Sequence, residues 1–125
     1  MSVATTSKSA AAALRLPTHR DPYYAGKWQK AAAGRYAEVT SPSTGESLGK
    51  VVDGTAADAE AAIAAAKAAF KDWRRVPPLE RAKMLREIAN VLRKNGDELA
   101  MLDAADCGNP YAEMVRDANA GAAQL

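Results

Sequence analysis

From Thr55 to Trp73 the chain admits one secondary structure. Alanine fills most positions between Ala56 and Ala69, and alanine is the strongest helix former. Ala59, Ala62, Ile63, Ala66, Phe70 and Trp73 recur at the spacing of a single helix face. Thr55 is a good N-cap. Asp58, three residues on, completes a capping box with Asp in the place of Glu. Lys67 and Lys71 stand in the last turns, where a cation complements the helix dipole. Pro77-Pro78 ends this unit and starts the next helix, because proline is tolerated in a first turn. The alanine face suits close approach of a neighbouring helix or sheet, which is a packing role and not a chemical one.

The flanks of this helix are of different kinds. Residues 22–53 read as extended structure, with Tyr24, Trp28, Tyr36 and Val39 in short, partly alternating segments. Ala31-Ala-Ala-Gly34 separates the first two and is predicted to be a hairpin loop, with Gly34 at positive φ. Pro42-Ser-Thr-Gly45 reads as a tight turn, and a third extended piece runs from Leu48 to Val52. On the other side, Ala82, Leu85, Ile88, Ala89 and Leu92 form the buried stripe of a second helix. Asn95-Gly96 signals its stop, and Asp97 is predicted to cap a restart carried by Leu99, Met101 and Leu102. Gly108-Asn-Pro110 breaks that helix. A last one, from Tyr111 to beyond Ala123, sets Met114, Val115, Ala118 and Ala122 on one face. It meets no stop signal where the sequence ends, which reads as truncation. The expected fold is locally α+β: an N-terminal β-hairpin and extended region, then several amphipathic helices.

Composition limits what such a chain can do alone. Its 125 residues make one small domain or part of a larger one. Roughly a quarter of them are alanine, which buries little area, and there are only one Phe and two Trp. A self-sufficient core is not expected, and marginal stability or association through the apolar helix faces is. The 17 basic and 15 acidic residues are interleaved, which argues against a nucleic-acid partner. No apolar run approaches the roughly 20 residues of a membrane span, so no membrane partner is expected. The single cysteine excludes an internal disulfide and a Cys-rich zinc site. Residues 1–20 hold Lys8, Arg15 and Arg20 with no acid, which leaves two readings. One is a transit peptide. The other, preferred because arginines are few and Pro17 cuts the helical stretch, is a disordered tail on a cytoplasmic protein. The expected division is therefore a tail at 1–20 and a structured segment at 21–125.

In order along the chain stand Tyr24-Ala-Gly-Lys-Trp28, Val39-Thr-Ser-Pro-Ser-Thr-Gly-Glu46, and the helix from Asp58 through Phe70 and Trp73. Then come Pro78, Arg81, Leu85, Ile88 and Ala89, followed by Glu98-Leu-Ala100 and Asp106-Cys-Gly-Asn-Pro110. The ordered set resembles the amino-terminal part of the aldehyde dehydrogenase superfamily, over about residues 22–125. Ser41 stands where the family has Asn, and Asn109 where it has Lys. The resemblance implies an α/β parent fold. It also implies NAD- or NADP-dependent oxidation of a small-molecule aldehyde to a carboxylic acid, through a cysteine thiolate and a glutamate-activated water. In the family those groups and the dinucleotide site lie downstream of this segment. No catalytic and no cofactor-binding residue is therefore expected here.

Three residues remain to be weighed. Cys107 occupies a variable place inside the family's Asp-x-Gly motif and is not expected to be a nucleophile. His19 is a lone histidine in the predicted tail. Asp106 is of more interest, because many family members hold a monovalent cation between this carboxylate and main-chain carbonyls that correspond to Val39 and Thr40. The resemblance implies the metal ligands Val39, Thr40 and Asp106. Two readings of the whole follow. The first is the N-terminal part of an aldehyde dehydrogenase, inactive by itself. The second is a non-catalytic helical module that associates with a full-length relative. A homo-oligomer is compatible with either.

Overall fold

Four short strands precede four helices in a computed structural model that describes residues 14–125. The strands are β1 (Tyr23–Tyr24), β2 (Lys27–Trp28), β3 (Tyr36–Thr40) and β4 (Ser47–Val52). The helices are α1 (Ala56–Trp73), α2 (Pro78–Lys94), α3 (Gly96–Cys107) and α4 (Tyr111–Ala123). The local α+β class thus agrees with the reading of the sequence. Of the predicted tail, residues 1–13 lie outside the described residues.

The strands form two separate antiparallel pairs, β1 with β2 and β3 with β4. This corrects the predicted hairpin loop. Ala31–Gly34 is a turn, closed by the Gly34 amide on the Ala31 carbonyl at 3.0 Å, and Gly34 has the expected positive φ of 61°. It does not pair the strands on either side of it. β2 folds back on β1 through Ala25-Gly26, where φ is 53° and 75°. Positive φ at both central residues is the demand of a tight two-residue hairpin. The second hairpin turns at Pro42–Gly45 as expected. The Ser41 amide donates to the Glu46 carbonyl and the Gly45 amide to the Ser41 carbonyl, both at 2.8 Å. The ladder pairs Tyr36 with Val52 through Val39 with Gly49, then slips, so that Thr40 faces Ser47 and Leu48 bulges out.

The Thr55 N-cap forms as predicted, with the complete capping box. Asp58 also accepts from the Ala32 amide at 2.7 Å, which fastens the Ala31–Gly34 turn to the start of α1. The predicted apolar face of α1 exists in periodicity but is not covered by the described residues. Ile63, Phe70 and Trp73 are 54%, 58% and 41% exposed. The main neighbour of α1 is β1.

Burial concentrates elsewhere. α4 packs on α3 and on α2. Ala89, Ala100, Met114 and Ala122 are buried where these three helices meet. In α2 the stripe of Ala82, Leu85, Ala89 and Leu92 turns inward, while Ile88 stays exposed. α2 and α3 share one boundary residue, Asn95. Its amide closes α2 on Val91 and Leu92, and its carbonyl receives the Leu99 amide of α3. Asp97 therefore lies inside the first turn of α3 and does not cap it. Arg93 ties the bundle at its far end, donating from Nη2 to the Ala122 carbonyl at 3.0 Å near the C-terminus of α4.

Candidate functional site

The two turn-bearing motifs, far apart in sequence, meet in space. α3 ends at Gly108 with φ 76°, a left-handed C-cap that glycine alone adopts without strain. A Cβ at this position would lie 3.0 Å from Pro42 Cγ and 3.4 Å from Ser43 Oγ. The Pro42–Gly45 turn therefore rests on the end of α3, and a side chain at 108 would push the two apart. This seating brings the carboxylates of the last turns of α3 toward the β3–β4 hairpin.

A hollow of about 280 Å³ opens at that junction. Val39, Leu48 and Val51 of the hairpin line one side, and Leu102, Asp103 and Asp106 of α3 line the other. Of the three expected metal ligands, Val39 and Asp106 thus border one space. Thr40 lies past the bulge and does not line it. Arg20, a residue of the predicted tail that no motif singles out, completes the wall. Its Nε donates to the Pro17 carbonyl at 2.8 Å and its Nη2 to the Leu48 carbonyl at 3.0 Å. Its own carbonyl accepts from the Val52 amide at 3.1 Å. Beside it, His19 stacks on Trp28 with ring centroids 4.7 Å apart. The packed part of the chain thus begins before residue 21.

The donor set fits a monovalent cation only in part. Asp106 and a nearby main-chain carbonyl are hard oxygen donors of the right kind. The permanently charged guanidinium of Arg20 borders the same hollow and already takes the Leu48 carbonyl.

Cys107 is the last residue of α3 and is exposed. Its thiol donates to the Asp103 carbonyl one turn back, at 2.7 Å. The N-terminus of α1 is similarly occupied from within. Asp58 Oδ2 accepts from the Thr55 amide at 2.8 Å and the Thr55 hydroxyl at 2.7 Å, while Oδ1 holds Ala32. The Thr55 amide bond, then the Ala32 amide bond, hold the Asp58 carboxyl below its ordinary value. α2 begins on Pro78 and α4 follows Pro110, each lacking one of the amides that would greet a phosphate.

With that geometry in view, comparison with known proteins places the chain in a class. The profile of the aldehyde dehydrogenase family matches residues 28–125, and the chain belongs to that family. An aldehyde dehydrogenase of Talaromyces stipitatus is 39% identical over 110 residues, which are 88% of this chain and 21% of that protein. The 3,6-anhydro-alpha-L-galactose dehydrogenase of a Vibrio species is 40% identical over 89 residues, 71% of this chain and 18% of that one. Among solved structures, an indole-3-acetaldehyde dehydrogenase of P. syringae, in complex with NAD+ and IAA, superposes with a TM-score of 0.82 at 32% identity. That match covers 88% of this chain and 22% of the other. The chain spans about a fifth of the length of the curated relatives it matches.

Proposed function

We propose that this chain is the N-terminal part of an NAD(P)-dependent aldehyde dehydrogenase that oxidises a small-molecule aldehyde to a carboxylic acid, and that these 125 residues carry no catalysis by themselves. The supporting observation is the conjunction of a family match over residues 28–125 with the setting of the single cysteine. Cys107 is an exposed helix-end thiol bonded to a main-chain carbonyl, with no base of the described residues hydrogen-bonded to it. Nucleophilic catalysis needs a thiol activated by an adjacent base or cation. The role left to the segment is architectural. Its hairpins and α2–α4 bundle offer a surface on which the dinucleotide and catalytic parts of a longer polypeptide pack, in a cytoplasmic homo-oligomer.

A specific observation favours a second reading. The exposed row of Ile63, Phe70 and Trp73 on α1 suits a non-catalytic module that docks on a full-length relative. No described helix is long and apolar enough to cross a membrane. One assay separates enzyme from both other readings. The purified chain is mixed with NAD+ or NADP+ and a panel of aldehydes, and NADH or NADPH is followed by absorbance. No turnover is expected. Turnover that survives purification and vanishes in Cys107→Ser overturns the proposal. Co-purification with a co-expressed full-length relative then favours the docking reading over the architectural one.

A further inference from the structure

The hollow between β4 and α3 contains a charge arrangement that the family resemblance does not anticipate. Two carboxylates, Asp103 and Asp106, stand one turn apart on α3 and face it. No ion pair within 4 Å joins either one to a described residue; the pairs formed are Arg35–Asp53, Arg75–Asp72 and Arg116–Glu113. Across the hollow the β3–β4 ladder slips at Val39/Thr40, which leaves Leu48 without a partner in the register. A carbonyl freed by a bulge needs an outside donor. Leu48 finds it in Arg20 Nη2. The guanidinium lies close over the next residue, since a Cβ on Gly49 would sit 3.6 Å from Nη2 and 3.8 Å from Cζ. Gly49 has φ 92°, so glycine here both permits the backbone path and keeps the space open.

We propose that Arg20 supplies the positive charge of this hollow, so that the chain forms this corner without a monovalent metal ion. The carbonyl released by the bulge and the carboxylates of α3 are the partners an alkali ion would take. The guanidinium already bonds the carbonyl, and it has further N–H donors for the carboxylate side. It is charged at every working pH and is a weakly hydrated cation suited to partly buried pairing. Its tether gives it an advantage over any free ion, because a group on the same chain loses no translational freedom on binding. The Nε bond to Pro17 holds the side chain in this pose. Arg20 Nη2 already occupies the Leu48 carbonyl, so an ion that needs this oxygen must compete with the tethered guanidinium for it. The inference does not depend on whether the chain belongs to an active enzyme.

The test compares the 125-residue chain with Arg20→Gln, which keeps a side-chain donor for the Leu48 carbonyl and removes the charge. Circular-dichroism melts are recorded in potassium, sodium and tetramethylammonium chloride at equal ionic strength. Line broadening of thallium(I) by NMR reports ion binding directly. The wild-type midpoint should be the same in the three salts, and the wild-type chain should leave the thallium line sharp. Arg20→Gln should melt lower in tetramethylammonium, recover with potassium or sodium, and broaden the thallium line. A wild-type midpoint that rises specifically with potassium or sodium overturns the proposal, as does wild-type broadening of thallium. It also falls if Arg20→Gln matches the wild type in every salt. Should Arg20→Gln not fold, the two wild-type readouts decide alone.

Discussion

α1 and α2 are almost equal in length, 18 and 17 residues, yet they are stable for opposite reasons. α1 is held by its own sequence. It has alanine propensity, a complete capping box, Asp58 at its start and Lys71 in its last turn. Its long apolar side chains are exposed. α2 starts on Pro78 without a side-chain cap bond and carries a polar outer face, but it is one wall of the bundle with α3 and α4. There the contacts are made by alanines, with Ala89 2%, Ala100 0% and Ala122 1% exposed. Small residues let helix backbones approach closely but contribute little area each. The contrast teaches that alanine does two jobs in this chain. In α1 it makes a helix that needs little support, and in α2–α4 it makes an interface that tolerates no increase in size.

The largest expected effect is a test of that second job. Ala100→Leu adds three heavy atoms at a fully buried position, and overpacking a core costs about 1–3 kcal/mol. Ala66→Leu makes the same chemical change on exposed α1 and should shift stability by no more than about 0.5 kcal/mol. Denaturant melts of the two variants measure the difference. Equal losses would break the comparison.

Next in size is the local anchorage of α1. Thr55→Ala removes the side-chain acceptor of the Asp58 amide, and loss of such a cap costs about 1 kcal/mol. Because α1 has few tertiary contacts, the loss should stay local. Amide exchange should quicken in the first turns of α1 and remain unchanged in α3 and α4. Quickening throughout would mean that α1 and the bundle unfold as one unit.

The acid response sharpens the same point. Asp58 has its carboxyl held below its ordinary value of 3.8 by the Thr55 and Ala32 amides. A depressed carboxylate contributes stability that is fully present above the unfolded value. That stability is lost as pH falls through the lower folded value. α1 and the Ala31–Gly34 turn should therefore loosen together below about pH 4, while the α2–α4 contacts, made by uncharged alanines, should not respond through this group. NMR chemical shifts of Ala32 and Ala59 followed against pH check this. An Asp58→Asn chain should lose that pH step.

Local signals were legible in the sequence and long-range ones were not. The Thr55 cap, the Pro42–Gly45 turn, the Gly108 stop and the inward face of α4 each follow from residues within one or two turns of each other. The hairpin error has the same root. Ala31–Gly34 contains an obvious glycine, whereas the true reversal uses Ala25 at φ 53°, a conformation that alanine seldom adopts. Pairing decided the matter, and pairing is not local. Asn95 reads in sequence as part of a stop signal, but its double role needs both helices in place. Arg20 was invisible for the strongest reason. Its carbonyl partner is 28 residues away and is exposed to it only by a bulge.

The smallest expected effect on the chain itself is at Phe70, and it bears most on function. Phe70 is 58% exposed and Ile63 54%, so the described residues give them few partners to lose. Phe70→Ala should change the stability of the 125-residue chain by about 0.5 kcal/mol or less. Truncating a buried phenylalanine costs about 3–5 kcal/mol. If a longer polypeptide or a full-length relative covers this face of α1, the same substitution should approach that range in the assembled protein. The measurement is therefore a pair: a melt of the chain alone, and a melt or binding titration with the covering partner present. A small effect alone and a large one in the assembly assigns the outer face of α1 as an interface. A large effect in the isolated chain would show instead that α1 already packs its apolar face within these residues, and the contrast between the two helices would disappear.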